Sequence, residues 1–167
     1  MRRVLCLLTI ILVGAMAYAQ RTQDFASRFM KIHQADSTIQ CVTVSPRMME
    51  QLAKSQDENR KATFRQAIAK LKSARIVTAS NSYYDDAEIL LKQNATRFIH
   101  EADYKHGDKR GTFYKRKNRK GKTVELIMLH ADRKTSLLTI VNLTGDLDED
   151  FINSLTQGMA GQTDHTD

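Results

Sequence analysis

TFYKRKNRKGKTVELIMLHADRKTSLLTIVNL, residues 112–143, decides how this chain folds. Its apolar and β-branched residues gather into three short runs: Thr112–Arg116, Thr123–His130 and Ser136–Leu143. Each reads as a strand. Asn118 to Gly121 and Asp132 to Lys134 are turn chemistry between them. Connections this short leave only antiparallel pairing, so the stretch predicts a three-stranded meander. Val124–Leu129 and Leu137–Leu143 are apolar on both faces for much of their length, which predicts that they are the central strands.

Downstream, Gly145-Asp146-Leu147-Asp148 leads into a helix with Leu147, Phe151, Ile152 and Leu155 apolar and acidic residues at its positive end. Upstream, Phe25, Phe29 and Ile32 have the spacing of a short helix facing a core. Thr38–Val44 reads as a strand, and Ser45-Pro46 as the cap and first residue of a helix running to Lys54 with Met48, Met49 and Leu52 inward. A polar break at Gln56–Asn59 precedes a helix over Lys61–Lys72 with Phe64, Ala67, Ile68 and Leu71 as its stripe. Ala74–Ala79 is a strand, and a long helix from the Ser80–Ser82 caps to Ile99 follows. The order predicts an α+β domain with one five-stranded mixed sheet. Its front half has right-handed parallel crossovers, its back half is the antiparallel meander, and its helices lie mainly on one face.

The first residues, MRRVLCLLTIILVGAMAYAQ, read as a secretory signal peptide. Arg2 and Arg3 form the basic region, Val4–Val13 the apolar core, and Ala17-Tyr18-Ala19 the cleavage signature, with Gln20 as the new N-terminus. The apolar run is short for a membrane span. The expected organisation is a leader over 1–19, one domain over 20–157 and a small, polar, disordered tail over 158–167. A domain of this size can bury roughly two-thirds of its unfolded surface and needs neither metal nor disulfide to fold. No cysteine stands between the apolar core and the cleavage site, so a soluble exported protein, periplasmic or secreted, is expected rather than a lipid-anchored one.

Removing the leader takes away Cys6 and leaves Cys41 as the lone cysteine. A buried thiol, an intermolecular bridge and a reactive nucleophile are the alternatives. Its apolar surroundings, Ile39–Val44, favour the buried thiol. The five histidines share no metal-ligand spacing on one element. No Gly-x-Ser-x-Gly elbow is present. Acidic groups at Asp85-Asp86-Glu88 and Asp146–Asp150 lie where helices begin, and the dipole accounts for them. No catalytic residue, metal or cofactor is therefore assigned.

The strongest polar signal is positive. The full chain carries a formal charge of +7, which falls by two when Arg2 and Arg3 leave. Between Lys105 and Lys122 stand nine basic residues opposed only by Asp108. Lys109, Arg110, Lys115, Arg116, Lys117, Arg119, Lys120 and Lys122 are the candidate anion-binding residues, gathered on one hairpin with Phe113 and Tyr114. The plain alternative is that these charges keep an exposed strand from aggregating. An exported chain makes nucleic acid a poor partner; an acidic protein, an acidic glycan or lipopolysaccharide fits better.

TIQCVTVS running into PRMMEQL, the helical AIAKLKSARIVTAS, and LTIVNLTGDLDEDFINSL carry a resemblance. Over about Phe25–Leu155 the chain resembles the domain-of-unknown-function family 4252, exported proteins and lipoproteins of Bacteroidetes. The family has no established activity, so the resemblance implies no functional residue. It implies a setting in the cell envelope, near extracytoplasmic sigma-factor systems. The expectation is a non-catalytic interaction domain that meets an acidic envelope partner through the basic hairpin. The second expectation is a small exported hydrolase with an unrecognised site.

Overall fold

A computed structural model describes residues 23–54 and 69–153. The expected leader, the tail and most of the helix expected from Lys61 lie outside the described residues. In chain order the elements are α1 (Phe25–Ile32), β1 (Gln40–Val44), α2 (Pro46–Lys54), β2 (Leu71–Ser80), a 3-10 turn (Asn81–Tyr83), α3 (Tyr84–Lys92), β3 (Ile99–His106), β4 (Lys109–Lys117), β5 (Thr123–Asp132) and β6 (Leu137–Leu147), with helical residues 149–153 after them.

The strands form one six-stranded sheet in the order β1-β2-β6-β5-β4-β3, and every neighbouring pair is antiparallel. The expected five-stranded mixed sheet with parallel crossovers is therefore incorrect. Two causes account for it. A helical connection permits a parallel neighbour but does not impose one, and β1 and β2 pair antiparallel across theirs. The helix after β2 was also expected to run to Ile99, whereas α3 stops at Lys92. The Asn94 side chain donates to the Leu90 carbonyl at 2.8 Å, and Phe98 leaves the helix to pack edge-on against Phe25 at 5.9 Å. Residues 99–106 then form the extra strand β3. Leu71 and Lys72, expected in a helix, open β2.

The meander stands as its sequence predicts, with β5 and β6 in the interior of the sheet. Strand alternation sends Val77, Ile140, Leu129 and Ile127 to one face, where Phe25 and Phe29 of α1 and Ala87 and Leu91 of α3 cover them. An eight-residue helix is marginal alone. Burial of Phe25 and Phe29, about 1.5–3 kcal/mol each, holds α1 in place. Ile32, expected inward, is exposed. Helices are not confined to that face. Ala74, Leu143 and Leu126 point the other way, where Met49 of α2 and Ile152 of the 149–153 segment meet them. α2 begins as expected: the Ser45 hydroxyl accepts from the Met48 amide at 3.3 Å.

Two glycines are set by close approach. At Gly145 a Cβ would run into the Lys70 carbonyl and lie 2.9 Å from Leu71 Cα, where β6 meets the bulged start of β2. Gly111 of β4 lies opposite Tyr104 of β3. A Cβ at 111 would overlap the Tyr104 ring and approach the Leu129 carbonyl oxygen to 2.6 Å. The ring fills the space the glycine leaves, and the Tyr104 hydroxyl hydrogen-bonds His130 Nδ1.

Candidate functional site

The polar end of the sheet is built from two residues that interrupt apolar strands. Glu125 sits in TVELIML and Asn142 in TIVNLT, and both are buried. Glu125 Oε1 accepts from the Phe25 amide at 2.7 Å and from Asn142 Nδ2 at 3.0 Å. Asn142 Oδ1 accepts from the Ala26 amide at 2.8 Å, and Asp24 Oδ1 from the Ser27 amide at 2.8 Å. The first-turn amides of α1 are thus satisfied by the sheet and by their own cap. On its other oxygen Glu125 accepts from Arg116 Nε at 2.6 Å. A carboxylate taken fully out of water needs such partners, and this one has three. Sequence reasoning passed over both residues; a single polar residue inside each central strand was the available signal.

That network separates the foreseen cations. Arg116 belongs to the core assembly. Lys115, also buried, points to the opposite face and pairs with Glu101 at 2.6 Å and Glu149 at 3.2 Å. Burial alone would lower its pKa, but hydrogen bonds to the two carboxylates outweigh that and raise it. Arg110 reaches Asp85 at 3.1 Å and lies over the Tyr84 ring, 3.9 Å from its centroid. Lys117 pairs with Glu149 at 3.6 Å and Lys122 with Asp146 at 3.3 Å, both at exposed positions where such pairs are weak.

The candidate cations share the β4–β5 hairpin but not one end of it. Lys109 and Arg110 stand at the β3–β4 turn, and Lys117, Arg119, Lys120 and Lys122 at the β4–β5 turn. The nine residues of β4 keep the two groups about 27 Å apart. At the β4–β5 turn the Asn118 side chain accepts from the Lys120 and Lys122 amides at 2.9 and 3.1 Å, and the Asn118 amide donates to the Lys122 carbonyl at 2.8 Å. This ordered turn presents Arg119 and Lys120 to solvent, and neither has a carboxylate partner among the described residues.

The other candidates take structural places. Cys41 is exposed on the edge strand β1, not buried as expected, because β1 closes the sheet and its side chains are largely open. Partial desolvation nevertheless raises its pKa, against the opposing effect of Arg75, so the group is held as a thiol. His130 is held towards its neutral form by burial and by Lys109. Asp148 pairs with Lys70 and accepts from the Phe151 amide, which starts the 149–153 helix. Among the described residues no three His, Cys, Asp or Glu side chains converge as a metal site, and no helix is long and apolar enough to cross a membrane.

A solved structure of a protein of unknown function from Pseudomonas aeruginosa, PA94, is similar over 79% of this chain and 84% of that one, with 11% identity and a TM-score of 0.35. The curated proteins hold no match. The model of the domain of unknown function DUF4252 matches residues 22–155, most of the length and every described strand, and the chain belongs to that family.

Proposed function

We propose that this chain is an exported, non-catalytic binding domain that recognises an acidic partner in the cell envelope through its β4–β5 turn. The observation that carries the reading is the contrast among the cations. Those facing the sheet, Lys115 and Arg116, are occupied by carboxylates, whereas Arg119 and Lys120 project from a hydrogen-bonded turn with no carboxylate beside them. Lys117 and Lys122 flank them in weak exposed pairs that an incoming anion can replace. A pre-ordered turn loses little freedom on binding, which favours recognition. The leader read from residues 1–19 supports an envelope setting.

The test is retention on immobilised acidic envelope extract. The double variant Arg119→Glu, Lys120→Glu should lose retention. A control with the same charge change at exposed Lys31 and Lys134 should keep it. Equal loss in both variants would reduce the effect to net charge and remove the turn from the account.

A further inference from the structure

A second cationic feature lies on the α1-covered face. The register of β2, β6, β5 and β4 sets Ser73, Thr144, Glu125 and Arg116 side by side there, with Arg75 two residues along β2. α1 covers Glu125 but not the whole row. Beside its first residues a cleft of about 770 Å³ remains, lined by Asp24, Ser27, Lys72, Arg75, Arg116 and Thr144. Sites for small ligands occupy about 300–1,000 Å³.

The two guanidinium groups are fixed before any ligand arrives. Arg116 is tied through Nε to Glu125, which leaves its terminal nitrogens with no partner among the described residues. Arg75 Nη1 donates to the Ser27 hydroxyl and lies 3.4 Å from Asp24 Oδ1. Its Nε is buried with no hydrogen-bond partner among the described residues, a donor the fold leaves unused. Exposed Lys72 stands at the rim, and the Thr144 side chain lies on the floor between the two arginines. The first-turn amides of α1 are already engaged, so the site does not rest on the helix end.

Three cations stand against Asp24 and the Glu125 carboxylate behind Arg116, so the lining keeps one net positive charge and favours an anion. Its donors come from three separate side chains, more than the two oxygens of one carboxylate engage together. Forked guanidinium donors also suit the several oxygens of a phosphoryl group. We propose that this cleft binds a small molecule bearing a phosphate monoester, with the phosphate between Arg75, Arg116 and Lys72 and the Thr144 hydroxyl beneath it. This site uses none of the turn residues and stands or falls apart from the reading above.

The experiment is a titration of the folded chain with inorganic phosphate, and separately with acetate at matched ionic strength, followed by the arginine Nε–Hε resonances. Saturable one-to-one shifts at Arg75 and Arg116 with phosphate, and much weaker ones with acetate, are expected. Lys72→Gln, at an exposed position, should weaken phosphate binding about threefold. Arg75→Lys keeps the charge but loses the fork and should weaken it about tenfold; because Arg75 also holds Ser27, its melting temperature is measured alongside, and Lys72→Gln decides the matter if that variant is destabilised. The double variant Arg119→Glu, Lys120→Glu should change the affinity by less than about twofold, since salt screens beyond about 8 Å. Shifts that never saturate, acetate binding as tightly as phosphate, Lys72→Gln having no effect, or loss of binding through the turn variant would each overturn the assignment.

Discussion

Lys115 and Arg116 stand only a few residues before Arg119 and Lys120 in the same basic run, yet the fold gives the two pairs opposite uses. The first pair lies on a strand flanked on both sides, so each side chain is drawn off the surface and matched by carboxylates from other strands and from the helical segment 149–153. The second pair lies where β4 ends, and no strand stands beside it to supply a carboxylate. Charge density along a sequence therefore says little about charge on a surface. The number of neighbours a strand position has decides whether a cation stabilises the fold or is left for a partner.

The contrast is broken most severely at its buried side. Glu125→Ala removes the acceptor of Arg116, Asn142 and the Phe25 amide together, and leaves the largely buried Arg116 guanidinium without its carboxylate. Chemical denaturation should show a loss of about 3–5 kcal/mol, and a loss under 1 kcal/mol would mean that the network carries no stability. Lys115→Met should have a smaller effect, about 1–2 kcal/mol at neutral pH. The pH dependence gives it a signature. Hydrogen bonding to Lys115 holds the Glu149 pKa below its usual 4.5. The pair therefore contributes fully above pH 4.5, and the contribution fades as acid protonates Glu149 below that value. At the alkaline end the raised pKa of Lys115 keeps it charged past 10.5, so the pair is lost only above that. Lys115→Met should flatten the melting temperature between pH 4.5 and acid, and an unchanged acid slope would contradict the pairing. The mildest effect belongs to the turn. Arg119→Glu with Lys120→Glu should shift stability by less than about 0.5 kcal/mol, read from the same denaturation curves. A larger shift would show that these cations belong with the buried pair after all.

Much of the centre was legible in the sequence. Apolar runs bounded by turn residues gave β5 and β6, and the Phe25–Phe29 spacing gave the inward face of α1. The edges were not legible, for a physical reason. β3 reads IHEADYKH, with little apolar alternation, because an edge strand draws its order from the backbone bonds of β4 rather than from a buried face. Its charges and its position after a helical stripe made it look like the end of that helix. Cys41 misled in the opposite direction, its β-branched neighbours being those of a strand that borders solvent. The candidate cations were correctly seen as a cluster along the chain. Their partition required knowing that Glu101, Glu125 and Glu149, up to 48 residues apart in sequence, surround one segment of β4. Glu125 and Asn142 were visible only as exceptions to an apolar pattern, and nothing local indicated that both wait for the start of α1.

The aromatic ring resting on Gly111 gives the outermost strand a fastening of its own. Even a methyl group at that position would act as a wedge, lifting Tyr104 and freeing His130 from its hydroxyl. β3 would then peel away, and the well-buried run of β4 behind it would become a bare ribbon border ready to template another chain. The absence of one side chain thus keeps that border covered.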